Sequence, residues 1–150
     1  MRDLGGPISW NASKRKLTSY MEAWEADDCG RWCITDKEGQ FLGYVGVNKE
    51  KDDHPIGEHC EIGWRLHRAA WGKGFAVEAA QAALNDAFLR VGLTEILAYT
   101  TIENIQSKSV IAKLPFDRAS SLDFSVPWEP LGDWQGLVWR TDPKLASELL

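Results

Sequence analysis

The chain has 150 residues, which is enough for one domain that buries about two-thirds of the surface of its unfolded chain. Its apolar content of 44% and charged content of 26% are ordinary for a globular protein, and its net charge of −5 argues against a general nucleic-acid surface. No apolar run approaches the ~20 residues that a membrane span needs, and residues 1–6 lack the apolar region of a signal peptide. We therefore expect a single cytoplasmic domain over residues 1–150 that binds neither nucleic acid nor a membrane.

Three cysteines are present, Cys29, Cys33 and Cys60, without a Cys-x-x-Cys spacing. An odd number of cysteines with no such pair indicates neither a disulfide framework nor a standard zinc site. We expect free thiols and no bound metal, with a site made of Cys29, Cys33 and a histidine as the weaker alternative.

The first half of the chain predicts a helix, a hairpin and a third strand. Ser9 is a suitable N-cap for the helix, and Gly30 is the expected terminating residue. Strands are predicted over residues 31–36, 41–48 and 60–66, the first two joined by a turn at 37–40. The apolar face of the helix is expected to consist of Leu17, Tyr20, Met21 and Trp24.

The second half begins with the longest helical pattern, residues 74–91, which Gly92 closes. Its apolar stripe is Val77, Ala80, Leu84, Ala87, Phe88 and Val91. A strand over 95–101 follows at once, and strand–helix–strand of this length implies a parallel pair with a right-handed crossover. The remaining predictions are a helix capped by Asn104 and ending near Leu114, a strand at 119–124, a loop at 125–134, a strand at 135–140 and a tail at 141–150 with a short helix. This order gives an α+β fold with a mixed sheet.

The stretch from Cys60 to Ala76 combines an apolar strand, a turn with two glycines and a helix start. No Ser, Thr, Asp or Asn lies between His67 and Val77, so the first amides of the helix have no side-chain cap and remain available to an anion. Positive charge stands beside them on Arg65, Arg68 and Lys73. These features predict a pyrophosphate site, although a plain tight turn explains the two glycines equally simply. The spacing fits neither a dinucleotide-binding fingerprint nor a P-loop.

Residues 68–76 resemble the acetyl-CoA pyrophosphate loop of the GNAT N-acetyltransferase superfamily, whose pattern is Gln/Arg-x-x-Gly-x-Gly/Ala. Here Trp71 replaces Gln or Arg, Gly74 fills the first small position and Ala76 the second. With Glu-Ile-Gly-Trp before it, the loop is similar to that of the RimJ/RimL branch, which acetylates protein N-termini and other primary amines. A second block, Asn104-x-x-Ser107 followed by Lys-Leu-Pro-Phe, resembles the Asn-x-x-Ser…Lys-Leu-Gly-Phe helix of that branch.

The resemblance covers most of the chain and implies a GNAT fold, a mostly antiparallel sheet flanked by helices. In that fold the third strand and the strand from Glu95 splay apart to admit pantetheine. It also implies acetyl-CoA as the cosubstrate and a primary amine as the acceptor, with direct transfer in a ternary complex. The residues expected to bind acetyl-CoA are Trp64, Arg65, Leu66, Trp71, Gly72, Lys73, Gly74, Phe75, Ala76, Asn104 and Ser107.

The proposed chemistry needs a group that takes the proton of the amine. We favour Glu61, directly or through a water, with His59 as the runner-up, although a surface glutamate is an equally good interpretation of Glu61. Main-chain N–H groups near Trp64 would bind the thioester oxygen. Gly63 would either permit a local bulge there or pack against a neighbouring ring.

Many GNAT enzymes protonate the departing thiolate with a tyrosine, at a position that matches Ile111 here. Ser107 is the nearest hydroxyl on the matching helix face and becomes the candidate acid, unless it and Asn104 serve only the helix start. Most of the eight tryptophans should lie in the core, while Trp128 and Trp134 are expected to line an acceptor pocket.

Two functions stay open: an N-acetyltransferase, or a non-catalytic GNAT-like module that binds CoA or a protein. Family members that resemble this chain begin with a strand that is missing here, so residues 31–36 would form an edge that carries Trp32 and Ile34 with few charges. We expect either a homodimer across this edge or an N-terminal segment folded back over it.

Overall fold

A computed structural model describes residues 7–128, 132–142 and 144. The helices are α1 (Trp10–Asp27), α2 (Phe75–Asp86) and α3 (Ile105–Ile111), and α2 continues into a π-helical turn, Ala87–Val91. The strands are β1 (Arg31–Thr35), β2 (Phe41–Glu50), β3 (His59–Leu66), β4 (Leu97–Thr100), β5 (Phe116–Arg118), β6 (Phe124–Trp128) and β7 (Gly132–Thr141). No helix among the described residues has the length and apolar character to cross a membrane.

The strands form a sheet in the order β1-β2-β3-β4-β7-β5, and β6 pairs with the first half of β7. All pairs are antiparallel except β3 with β4, which are parallel and joined by α2. The predicted α+β fold, the hairpin of β1 and β2, and the parallel crossover are therefore confirmed.

The parallel pair meets at a single position, Glu61 opposite Leu97. Beyond it, residues 62–66 of β3 pair only with β2, while the rest of β4 pairs with β7. The divergence expected of these two strands is present, since among the described residues they pair only at Glu61 and Leu97.

The main core lies between α2, α3 and one face of the sheet. It is built from Ile34, Val45, Val47, Ile62, Ala80, Ala83, Leu84, Ala87, Phe88, Ile96, Ala98, Ile111 and Leu114. The stripe predicted for α2 is largely confirmed, although Val77 and Val91 are only half-buried. Gly92 ends the helix with φ 78°, as expected. A smaller cluster on the other face contains Leu97, Ala119 and Val138.

The strand assignments after α3 need correction. The predicted strand at 119–124 is a 3₁₀ turn at Ser120–Leu122, flanked by β5 and β6, and the predicted loop at 125–134 contains most of β6 and the start of β7. Strand β6 contains Pro127 and, among the described residues, pairs only with β7; such an edge strand tolerates proline. The helix suggested in the tail falls mostly outside the described residues.

Helix α1 begins as predicted, with the Ser9 hydroxyl accepting from the amide of Ala12 at 3.2 Å. Its end differs: Asp28 takes the left-handed conformation at φ 55°, and Gly30 lies buried against the Trp24 ring, which would be 2.8 Å from an added Cβ. The predicted apolar face is only half used, because Leu17 and Met21 stay 59% and 62% exposed.

Strand β1 is an edge of the sheet, as expected, and α1 contacts it from both faces. The Trp24 indole N–H donates to the carbonyl of Arg31 at 3.0 Å, and its ring lies 4.6 Å from that of Trp32. On the opposite face, the rings of Tyr20 and Tyr44 are 5.6 Å apart. No strand precedes α1 in residues 7–9, while residues 1–6 lie outside the described part. The homodimer stays a prediction.

The expectation that most tryptophans fill the core is wrong. None of the eight is fully buried, and Trp10, Trp32 and Trp71 are 81%, 46% and 40% exposed. The fully buried core consists mostly of aliphatic and alanine side chains with Phe88, and Trp64 and Trp139 pack against it while only partly buried.

Candidate active site

The turn between β3 and α2 ends in an uncapped helix start, as predicted. Gly72 and Gly74 have φ 70° and 83°, a region that glycine enters without strain. Gly74 is the N-cap, and no side chain bonds to the helix there. The first backbone bond runs from Glu78 to the Gly74 carbonyl at 3.1 Å. The amides of residues 75–77 therefore have no acceptor among the described residues and point along the positive end of the helix dipole.

A cavity of about 570 Å³ opens beside this turn, with His67, Arg68 and Lys73 among its lining residues. Both long cationic side chains are exposed. The turn is tied to the end of β3 because the Trp71 indole N–H donates to the Leu66 carbonyl at 3.1 Å. Phe75, the first residue of α2, lines the same cavity, as does the acidic side chain of Asp36. Uncapped amides beside two cations form a suitable site for a phosphate group.

The other residues expected to bind acetyl-CoA have different surroundings. Trp64 and Leu66 pack against the main core, and Arg65 lies between them in sequence and so on the opposite face of β3. Asn104 is the N-cap of α3, and its Oδ1 accepts from the amide of Ser107 at 3.1 Å. Ser107 is half-buried on the first turn of that helix.

Thr101, at the end of β4, did not emerge from the sequence. It is 8% exposed, and its hydroxyl has no hydrogen-bond partner among the described residues. Its carbonyl accepts from the amide of Asn104 at 3.3 Å, so this hydroxyl lies directly before α3 on the strand that diverges from β3. Thr101 is recognised only because its buried hydroxyl lacks a hydrogen-bond partner among the described residues. Hydrogen bonding of this kind cannot be read from a sequence.

Glu61 is 8% exposed and forms an ion pair with Arg31, so the interpretation as a surface glutamate is wrong. Arg31 donates through Nη2 to Glu61 Oε1, and through Nη1 to the carbonyl of Gly46 and, at 3.1 Å, to that of Gly63. Burial opposes the charge on the guanidinium, but the charges of Glu61 and Tyr20 leave the pKa of Arg31 above its usual value. No local signal in the sequence points to Arg31, because it lies 30 residues from Glu61 along the chain.

The bulge expected at Gly63 is absent. The register between β2 and β3 is continuous from Gly43 opposite Leu66 to Glu50 opposite His59. Gly63 instead leaves room for a side chain, because an added Cβ would lie 2.8 Å from both terminal nitrogens of Arg31. The alternative, packing against a neighbouring group, is closer to the structure, although that group is a guanidinium and not a ring.

Aromatic side chains flank Glu61 on the same face of the sheet. Tyr99 lies on this face, because it is two residues beyond Leu97, the bridge partner of Glu61. Its ring centroid is 5.2 Å from that of Phe124 and 6.4 Å from that of Trp134. Burial, followed by the charges of Glu61 and Glu50, raises the pKa of Tyr99. Trp128, 6.5 Å from Trp134, extends this aromatic wall, where the sequence analysis expected an acceptor pocket.

His59, the runner-up for the base, lies next to the wall. Its Nδ1 is 2.7 Å from the Gly57 carbonyl and so carries the proton, while Nε2 is buried without a partner among the described residues. Its ring stacks edge-on against His54 at 4.6 Å, and burial, with the charge of His59, lowers the pKa of His54. Ile111 is 2% exposed and belongs to the core, so its position offers no hydroxyl to the site.

The fold agrees with what is found for a protein family, for curated relatives and for solved structures. The family described as "Acetyltransferase (GNAT) domain" matches residues 1–117. An uncharacterized N-acetyltransferase p20 of Bacillus licheniformis is 33% identical over 93 residues, which is 61% of this chain and 51% of that protein. This chain spans about half the length, or less, of the curated relatives that it matches.

Two solved structures share the fold. An acetyltransferase from Agrobacterium tumefaciens is 25% identical, with a TM-score of 0.72 over 94% of this chain and 77% of that one. A spermidine N-acetyltransferase from Vibrio cholerae, in complex with CoA and spermine, is 16% identical, with a TM-score of 0.67 over 89% of this chain and 75% of that one. Because the family match covers more than half of the sequence and the fold agrees throughout, this chain belongs to the GNAT acetyltransferase family.

Proposed function

We propose that this chain transfers an acetyl group from acetyl-CoA to a primary amine by direct transfer. The observation that carries the proposal is the pairing of two features on β3. At its end, free amides and two cations suit a pyrophosphate. In its middle, β3 separates from β4 beside Glu61, where a thioester would meet an amine.

In this reaction the amine nitrogen attacks the thioester carbonyl carbon, a C–N bond forms, and the C–S bond breaks. The chain has to stabilise the developing oxyanion and accept one proton from the amine. One proton also has to reach the departing thiolate. Main-chain N–H groups of β3 near Trp64 are suited to the oxyanion, because among the described residues β3 pairs with β4 only at Glu61. Asn104 and Ser107 would contact the cofactor at the start of α3.

Glu61 is our candidate for accepting the amine proton, directly or through a water. Its Oε1 is engaged by Arg31, whereas no hydrogen bond among the described residues uses Oε2. His59 remains the second candidate, because its Nε2 carries a lone pair without a donor. Ser107 is the candidate acid for the thiolate, since Ile111 replaces the tyrosine of many relatives.

Several classes of amine remain candidates for the acetyl acceptor. The aromatic wall and the carboxylates near it suit a cation with an apolar portion. The RimJ/RimL resemblance favours a protein N-terminus, while spermine in the Vibrio cholerae structure represents a small-molecule amine. We expect a cytoplasmic enzyme that works without a metal; among the described residues no group of three metal-ligating side chains comes together.

The test is release of the CoA thiol from acetyl-CoA in the presence of four amines: a peptide with a free N-terminus, a polyamine, an aminoglycoside and a small alkylamine. We expect one of them to raise thiol release well above hydrolysis, and acetyl-CoA alone to raise the melting temperature. A raised melting temperature without turnover would indicate instead the non-catalytic CoA-binding module, which the replacement at Ile111 favours. If acetyl-CoA produced neither thiol release nor a rise in melting temperature, the proposed site would be refuted.

A further inference from the structure

We propose that Arg31 is a positioning residue for Glu61: it holds the carboxylate in the orientation that receives the amine proton. The inference rests on the proposed function, because Glu61 needs a fixed orientation only if it takes part in the transfer. Arg31 itself touches neither the amine nor the cofactor in this scheme and acts through Glu61 alone.

The path of the Arg31 side chain is set by a row of three residues across three strands. Arg31 on β1 is in register with Gly46 on β2, and Gly46 is in register with Gly63 on β3. The guanidinium crosses the row and ends over Gly63, at a place where any larger residue would put a Cβ 2.8 Å from its nitrogens. An arginine at the start of the row and glycines at the next two positions form one structural unit.

Three acceptors fix the guanidinium in place. The carbonyls of Gly46 and Gly63 bind Nη1, and Glu61 Oε1 binds Nη2. Both charged side chains are nearly buried, at 9% and 10% exposure, so water competes little for these bonds. The planar fork of arginine satisfies this geometry, whereas the single ammonium of lysine does not reproduce it.

The guanidinium of Arg31 also contacts α1. The Tyr20 ring of α1 lies 5.9 Å from the guanidinium carbon, and Tyr20 contacts Tyr44 on β2. Helix α1 therefore covers the arginine, which in turn holds the carboxylate. Because Oε1 is committed to Arg31, the rotation of the carboxylate is restricted and Oε2 is left for the amine proton or for a water.

A double-mutant cycle tests the inference with Arg31→Gln, Glu61→Gln and the double variant, using the amine that wild type acetylates best. We expect Glu61→Gln to lower kcat about 100-fold, as loss of a general base does. Arg31→Gln should lower kcat about 10-fold to 100-fold through misorientation, with the Kd for acetyl-CoA within about 2-fold of wild type. The double variant should match Glu61→Gln in kcat within about 3-fold, because Arg31 has no carboxylate left to position.

Arg31→Gln leaves a buried carboxylate without its partner and is the variant most at risk of not folding. The double variant removes both charges, and its kcat relative to that of Glu61→Gln still tests whether Arg31 acts apart from Glu61 if the single variant does not fold. The matched control is Arg118→Gln with Asp123→Asn, because Arg118 also binds a carboxylate, at 2.6 Å, and a strand carbonyl, that of Val138, at 2.8 Å. Arg118 lies on β5, which β4 and β7 separate from β3 in the sheet. This control should keep the wild-type kcat.

A folded double variant with kcat more than about 10-fold below that of Glu61→Gln would overturn the inference, since Arg31 would then act apart from Glu61. Wild-type kcat in Arg31→Gln, or in Glu61→Gln, would overturn it too, and the second result would move the role of base to His59 or to solvent. Absence of thiol release by wild type with every amine is a different failure, which removes the proposed function and this inference together.

Discussion

The two regions of β3 that we propose to be functional are built in opposite ways, although they belong to one strand. Its C-terminal end leads into a turn whose important groups are main-chain amides, left free because side-chain caps are missing and Gly74 lacks a Cβ. Its middle carries Glu61, which is buried and bound to Arg31, a residue 30 positions away. The groups of the first region come from residues that are adjacent in sequence. Those of the second region are buried and come from residues that are distant in sequence.

This difference has an energetic meaning. An anion that binds at the turn gains hydrogen bonds from helix-start amides that have no other acceptor among the described residues. The Arg31–Glu61 pair loses hydration on folding and depends on the hydrogen bonds that its terminal nitrogens donate, while Arg31 Nε is buried without a partner among the described residues. Substitutions at the turn should therefore affect ligand binding with small changes in stability, and substitutions near Glu61 should affect both stability and kcat.

The largest effect is expected at the two ends of α2. Gly74 and Gly92 both have a positive φ, 83° and 78°, and an added Cβ would meet nothing within 4 Å at either position. Gly74→Val and Gly92→Val should therefore cost similar backbone strain, of about 1–2 kcal/mol. Only Gly74→Val should abolish the rise in melting temperature caused by acetyl-CoA, because it displaces the free amides.

Calorimetry with and without acetyl-CoA makes this comparison directly. Retention of the full ligand-induced rise in Gly74→Val would mean that the phosphates bind elsewhere. Equal losses in both variants would mean that the helix as a whole, and not its uncapped start, determines binding.

A smaller effect is expected from Gly63→Ala, which places a methyl group against the Arg31 guanidinium. The crowding should lower the free energy of unfolding by about 1–3 kcal/mol. It should also move the Arg31 guanidinium and, with it, the Glu61 carboxylate. We expect kcat to fall several-fold while the Kd for acetyl-CoA stays within about 2-fold. Urea unfolding and steady-state kinetics provide both numbers. A change confined to Kd would contradict the division between the two regions.

The smallest effect is expected from Arg68→Gln combined with Lys73→Gln. Both cations line the cavity beside the turn but are exposed, so water and salt screen their charges. We expect acetyl-CoA to bind about 3-fold to 10-fold more weakly at low salt, with the difference shrinking at high salt, and unchanged thermal stability without ligand. Titration calorimetry at two ionic strengths measures this. A salt-independent loss would indicate that the side chains shape the turn instead of supplying charge.

Several elements followed from local signals in the sequence. Ser9 begins α1, the stripe of α2 repeats every three to four residues, and Gly92 ends that helix, because caps and periodicity act within a few residues of one another. The free amides after Gly74 are of the same kind, since the absence of a capping residue is visible in the chain itself. The short strands after α3 were harder to predict from the sequence, because their pairing with β7 is not encoded in their own composition.

The sequence by itself determined the uncapped start of α2, the parallel crossover around it and the glycine turn, because each depends on neighbouring residues. Only the tertiary structure decided the surroundings of Glu61. Its partner comes from an edge strand, and the space for the guanidinium comes from Gly63. That contact exists because the register of three strands aligns Arg31, Gly46 and Gly63 in one row, and register is a property of the assembled sheet.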